Sequence, residues 1–297
     1  MTELCSASSR ARAEPLAATA SRVARWLLVE HRGAWGPQSV PSSRMPKEVA
    51  RRLAEVAAAD GARLLLVRRP AGVPCQDGRW VFSVNSRPGQ ERVLARHVET
   101  DAELLEVAPG DPAGWSELDG ELYLVCTHGR KDRCCALRGR PVAQSLAARH
   151  PDRTWESSHV GGDRFSANVI VLPDGLYLGQ VEAGAAVRMI TELAAGRLPP
   201  GHVRGRSSLP LPTQAAQHFA REALGRWGTR DLAPVAQEAA GPDAWRVRLA
   251  GPEVEAPDVE VVVRYDRGAQ REHQLLTCGA DQVKPVPLFA QVSLTEL

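Results

Sequence analysis

Two short loops concentrate the side chains that could do chemistry. The first reads Cys126-Thr-His-Gly-Arg-Lys-Asp-Arg-Cys134-Cys135, and the second Ser158-His159-Val-Gly-Gly-Asp163-Arg164-Phe165. Seven residues separate Cys126 from Cys134, and three separate His159 from Asp163. Thiolate, imidazole and carboxylate are the donors that hold zinc or an iron-sulfur cluster. The Gly161-Gly162 pair gives the second loop the freedom to turn both of its donors toward one point. Cys134 falls at or just before a helix start, where partial positive charge and the nearby Arg130, Lys131 and Arg133 favour a thiolate. Spacing alone leaves the plainer reading open, since cysteine also serves as a small buried hydrophobe.

Strands must deliver these loops. Leu122 to Val125 is apolar and ends at Cys126, while Thr154 to Ser157 ends just before His159. Between them Arg138 to His150 reads as a helix through Val142, Leu146 and Ala147. Asn168 to Leu172 and Gly175 to Gly179 form a hairpin around Pro173-Asp174, and Glu182 to Ala195 reads as a closing helix. The order β-α-β-β-β-α is the skeleton of a thioredoxin-like domain, and open α/β sheets place ligands beyond the carboxyl ends of their strands.

Upstream, Arg25 to Glu30, a helix over Pro46 to Asp60 and a strand over Ala62 to Val67 predict a parallel βαβ unit. Trp80 to Val84 and Arg92 to Val98 predict an antiparallel pair. Downstream come a helix from Thr213, as its cap, to Trp227, and strands at Trp245 to Leu249, Val259 to Tyr265 and Gln274 to Thr277. The expected fold class is therefore α/β with an α+β tail. Its expected parts are a partly ordered arm over 1–21, an N-terminal α/β region over 22–119, and a thioredoxin-like domain over 120–197. A Pro/Gly-rich linker over 198–212 and a small α+β domain over 213–297 complete it. No repeat of solenoid period is present, although both outer regions could carry weakly similar α/β units.

Composition narrows the function. The chain has 297 residues, 43% of them hydrophobic, enough for real cores. A formal net charge of +2, with basic and acidic residues interleaved, gives nucleic acid no electrostatic footprint. No apolar run suits a membrane span and the first 20 residues lack the order of a secretory signal, so a cytoplasmic location is expected. In that compartment six cysteines point to metal or redox work before disulfides. No Gly-rich phosphate loop appears, and no carboxylate pair is nominated for glycoside hydrolysis.

The two loops, with Val171-Leu-Pro-Asp-Gly-Leu-Tyr-Leu-Gly179, resemble the signature of the sucrase/ferredoxin-like family of thioredoxin-like [2Fe-2S] ferredoxins. The resemblance extends to Cys5-Ser6, Trp26 to Glu30 with Gly36, and Thr277-Cys-Gly279, and implies that 120–197 is a thioredoxin-like ferredoxin domain. It implies a [2Fe-2S] cluster on Cys126, Cys134 and His159, a soluble redox partner protein, and a small metal complex as a conceivable substrate. Where many members carry a second histidine this chain has Asp163, which keeps the three-residue offset and is expected as the fourth ligand. Cys135, Cys278 and His128 are the alternatives for that position.

Three functions compete on the sequence. The first is a one-electron carrier or reductase module. The second is a zinc-binding structural or interaction domain on Cys126, Cys134, Cys135 and His159. The third, a dithiol oxidoreductase, lacks the C-x-x-C spacing. Arg164 reads as a charge partner of the site or a surface contact. Phe165, Trp155 and Tyr177 read as core, and Cys5 and Cys75 as structural thiols.

Overall fold

Alternation along the strands builds the centre of the molecule. In Arg25–Glu30 (β1), Trp26 and Leu28 face one side and Leu27 and Val29 the other, all of them buried. In Leu122–Cys126 (β6), Leu122, Leu124 and Cys126 share the side of Trp26 and Leu28, while Tyr123 and Val125 face away. Strands covered on both faces read as continuous apolar runs, and these two do. The computed structural model describes residues 4–109, 113–251, 257–266, 276–282, 284, 286 and 288–297.

The first unit runs β1, helix Lys47–Ala59 (α2), strands Arg63–Arg68 (β2), Arg79–Asn85 (β3) and Arg92–Val98 (β4), then helix Asp101–Leu105 (α3). The second runs β6, helix Arg133–Ala147 (α4), strands Thr154–Ser157 (β7), Val169–Leu172 (β8) and Leu176–Leu178 (β9), then helix Ala183–Ala194 (α5). With Ser116–Glu117 (β5) and Val203–Arg206 (β10) at its edges, one ten-stranded sheet is ordered β10-β9-β8-β6-β7-β2-β1-β3-β4-β5. Within each unit the first two strands pair in parallel, the third runs antiparallel to the first, and the fourth antiparallel to the third. Both units thus have the thioredoxin-like strand order, and β2 and β7 join them through Val67↔Ser157 and Arg68↔Glu156. The repeated unit lies in the N-terminal and central regions, not in the two outer ones.

The sheet curls, so that Trp26 on β1 and Tyr177 on β9 come within 6.3 Å, ring centre to ring centre. Its inner face forms one core shared by both units. The outer faces are covered separately, by α2 and α3 over the first unit and by α4 and α5 over the second. Helix Leu211–Leu224 (α6) packs on a four-stranded antiparallel sheet of Pro234–Gly241 (β11), Ala244–Leu249 (β12), Val259–Tyr265 (β13) and Phe289–Glu296 (β14). No helix among the described residues is long and apolar enough to cross a membrane.

Several expectations are corrected. The arm contains helix Cys5–Ala11 (α1), which packs on the loop that holds Asp163 and Arg164. Tertiary contact rather than periodicity orders it. The linker contributes β10, which extends the sheet beside β9. Thr213 sits inside α6, where its hydroxyl donates to Gln237 Oε1 at 2.8 Å, and Pro210 occupies the cap position. Helix α4 begins at Arg133 rather than Arg138, because the Asp132 carboxylate caps it by accepting from Cys134 N at 2.7 Å. Of the strand expected at Gln274 to Thr277, Gln274 and Leu275 lie outside the described residues.

Candidate metal centre

Alternation points Cys126, the last residue of β6, into the shared inner core. Helix α4 then crosses the end of that strand. A Cβ on Gly139 would stand 2.1 Å from the Cys126 carbonyl oxygen, so only glycine permits this approach. Cys135 lies one helical turn before Gly139 and shares its buried face with Val142, Ala143 and Leu146. That face brings Cys135, and not Cys134, to Cys126.

After β7 the chain is held down by Arg63, which donates to the carbonyls of His159 and Val160 at 2.8 and 3.1 Å. Gly161 and Gly162 follow with φ of +96° and +78°, a region side chains avoid. The turn brings Asp163 back beneath His159, with His159 Nδ1 3.0 Å from Asp163 Oδ1. Cys135 Sγ donates to the same Oδ1 at 3.1 Å. Donor atoms of Cys126, Cys135 and His159 lie within 4.8 Å of one another, a set that Asp163 does not join. Asp163 touches two of the three and extends the site beyond the span of a single tetrahedron.

Cys126, Cys135 and Asp163 are 1% exposed or less, whereas the His159 side chain keeps 25% of its surface open. A hydrogen bond from Cys135 holds the Cys126 thiol down at about 5 against the opposing effect of burial, and His159 lowers it further. Cys135 is correspondingly pushed up by Cys126 and by burial. Burial disfavours the His159 imidazolium, but hydrogen bonds to Asp163 and Cys126 outweigh it and bring the group up to about 9. The free site at neutral pH therefore holds a thiolate, a thiol and an imidazolium.

The remaining sequence candidates are placed elsewhere. Cys134 Sγ lies 3.5 Å from Cys5 Sγ and 3.2 Å from Cys278 Sγ, on a different face of α4 from Cys135. Successive helical residues diverge by about 100°, so the two neighbours serve different groups. His128 is fully engaged: its Nδ1 accepts from His159 N at 3.2 Å and its Nε2 donates to Gly36 O at 2.8 Å. Burial accordingly lowers its pKa. Arg164 is not a surface contact; it is buried with Nε 2.6 Å from Glu14 Oε1. Phe165, Trp155 and Tyr177 are buried, and Cys75 is exposed.

Two residues outside the loops complete the surroundings. Arg204, 1% exposed, lies under the Gly161-Gly162 turn and donates to Gly161 O at 3.1 Å and Asn168 Oδ1 at 2.8 Å. Burial lowers its pKa to about 10, still a cation at neutral pH. Glu156 accepts from Thr127 Oγ1 at 3.0 Å and from Arg68 at 2.7 Å, tying the residue after Cys126 to β2. Neither Arg204 nor Glu156 belongs to a spacing motif, and each is brought to the site only by sheet pairing.

Residues 16–205 match the model of a family described as Sucrase/ferredoxin-like. No curated protein matches the chain. Among solved structures, two cysteine-to-serine variants of the thioredoxin-like [2Fe-2S] ferredoxin from Aquifex aeolicus are similar at 20% identity. Each similarity covers 28% of this chain and 97% of that one, with TM-scores of 0.24 and 0.25.

Proposed function

The chain belongs to the sucrase/ferredoxin-like family, and from that premise we propose a one-electron-transfer protein whose [2Fe-2S] cluster is held by Cys126, Cys135, His159 and Asp163. One observation carries the reading. Asp163 Oδ2 is buried without a hydrogen-bond partner among the described residues, while its Oδ1 draws in both His159 Nδ1 and the buried Cys135 thiol. Buried polar atoms are normally paired, so an orphaned carboxylate oxygen beside two buried thiols and an imidazole supports a place where an ion or cluster supplies the missing partner. The donor set, two thiolates with an imidazole and a carboxylate, suits iron.

When bound, such a cluster supplies reversible exchange of one electron. The protein's own residues set where and at what potential. Phe82, Trp155, Ile170 and the other side chains of the inner core exclude water from the cysteine side. The open edge of His159 faces solvent and is the contact through which a soluble redox partner, or a small metal complex, exchanges the electron. Loading requires the site to give up the Cys135 and His159 protons, so it is favoured as pH rises.

Charge sets the potential. An oxidised core of +2 with two thiolates, a neutral histidine and an aspartate leaves the site at −1. That lies between the −2 of four cysteines and the 0 of two cysteines with two histidines. A midpoint between the roughly −400 mV of plant-type ferredoxins and the roughly −150 to +300 mV of Rieske centres follows. The zinc reading on Cys126, Cys134, Cys135 and His159 would need Cys134 beside Cys135, and its thiol is instead grouped with Cys5 and Cys278.

Anaerobic visible and EPR spectra with iron and sulfide assays test the proposal. About two irons and two sulfides per chain, visible absorption bleached by dithionite and a reduced S = 1/2 signal are expected. Protein that stays colourless and binds no iron after anaerobic reconstitution would refute it.

A further inference from the structure

Outside that site a second group of donors converges. Cys5 opens α1, Cys134 sits in the first turn of α4, and Cys278 comes from the segment between β13 and β14. Their sulfurs form a triangle with edges of 3.2, 3.4 and 3.5 Å, though the residues stand 129, 144 and 273 positions apart. Asp132 lies beside them, with Oδ2 3.7 Å from Cys5 Sγ. All four donor atoms fall within 4.8 Å of one another.

We propose that Cys5, Cys134, Cys278 and Asp132 form a second, mononuclear metal site for a tetrahedral thiophilic divalent cation, zinc, independent of the site at Cys126. The geometry separates this from an iron-sulfur cluster. A tetrahedral ion bonded to sulfur at about 2.3 Å sets its thiolates about 3.8 Å apart, and the three edges here, of 3.2 to 3.5 Å, need open only slightly to reach that length. A polynuclear cluster spreads its thiolates over different iron atoms and needs some sulfur pairs well beyond one tetrahedron edge. Three thiols also cannot all be satisfied by disulfides.

Backbone N–H groups orient the donors around the triangle. Cys5 N donates to Cys278 Sγ at 3.4 Å. The Asp132 carboxylate is oriented by Cys134 N at 2.7 Å and by Cys278 N at 2.6 Å, which aims it at the triangle as the fourth donor. The fifteen-residue α4 directs its N-terminal partial positive charge at Cys134. Zinc here is a clasp: it pins α1 and the Cys278 segment to the first turn of α4. The rotation of that turn also sets the position of Cys135.

The test is metal analysis of the full chain and of two variants, with cobalt as a spectroscopic probe. Wild type is expected to hold about one zinc per chain, and cobalt added to zinc-stripped protein should give the intense visible bands of a tetrahedral thiolate site. Cys278→Ser, at a half-buried position, should lose more than about nine-tenths of that zinc and the cobalt bands while keeping its iron. Cys126→Ser should lose iron and keep zinc. Should the chain prove to hold no iron at all, the cobalt titration of wild type and Cys278→Ser still decides this proposal alone. It is overturned if wild type binds neither zinc nor cobalt, if Cys278→Ser binds both like wild type, or if mass spectrometry finds two of the three thiols joined as a disulfide in the folded chain.

Discussion

Replacing Asp163 by histidine tests how the cluster site is charged. The substitution keeps a donor at the position directly after the Gly-Gly turn and removes one negative charge from a buried point 3.1 Å from Cys135 Sγ. Two unit charges about 4 Å apart interact by about 4 kcal/mol at an effective dielectric of about 20. For a one-electron couple about 1.4 kcal/mol corresponds to about 59 mV, so the midpoint of Asp163→His should rise by roughly 170 mV. The measurement is a redox titration followed by EPR, with iron content determined on the same samples. A second readout is independent of the size of the shift: two imidazoles should make the midpoint more steeply dependent on pH, since each can release a proton on oxidation. A shift below about 50 mV at full iron content, with an unchanged EPR spectrum, would mean that Asp163 does not touch the iron, and the charge arithmetic would fail with it.

The other predictions concern the elements that hold the site. Cys135→Ser should abolish iron binding whereas Cys134→Ser should leave it within about twofold of wild type, by iron and sulfide assay; the opposite pattern would sink the assignment made from the face of α4. Gly139→Ala places a methyl 2.1 Å from the Cys126 carbonyl, so helix and strand must part by about 1 Å, at a cost of about 1–3 kcal/mol and with weakened iron retention. Urea unfolding that matches wild type would contradict this. His31 is buried at 9% exposure, and burial, with Arg79 and Arg68 opposing Asp101, lowers its pKa. The folded chain thus resists protonation while the unfolded chain takes up a proton below about pH 6.5, so stability falls as pH drops from there toward the lower folded value. His31→Gln should flatten that acid slope by at most about 1.4 kcal/mol per pH unit, read from urea midpoints between pH 7.5 and 5.

The strands and most helices were legible because their apolar residues repeat at unambiguous periods: β1, β4 and β7 have the bounds that the pattern predicts. The choice between Cys134 and Cys135 was legible too, but in the helix rather than in the spacing of cysteines. Cys135 leads Val142 by seven and Gly139 by four, in phase with the buried stripe, while Cys134 leads Arg138 and Pro141 on another face. The capping role of Asp132 is the signal that extends the helix far enough upstream for that phase to be read. Cys5, Cys278 and Arg204 carried no such signal. They reach their places through packing between segments more than a hundred residues apart, which no local period encodes.

The doubled fold explains why the site has a lid on one side. Register pairs Cys126 with Ser157, Ser157 with Val67, and Val67 with Glu30, so the last residues of β6 and β1 stand on one row across four strands. The loops that leave the two strands must therefore meet. They do so where Gly36 O accepts from His128 and the Trp35 ring meets the His128 ring edge-on at 5.8 Å. In the first unit the strand end carries Glu30, buried and bonded to Trp80 N at 3.0 Å and to Arg32 at 3.1 Å, an arrangement already satisfied within the protein. In the second it carries Cys126, near Asp163 Oδ2, which has no hydrogen-bond partner among the described residues. The same backbone position is thus closed by an ion pair in one half and, on the proposed reading, left for a metal in the other. The closed half uses its outgoing loop to fix the tautomer of His128, which in turn holds the backbone of His159.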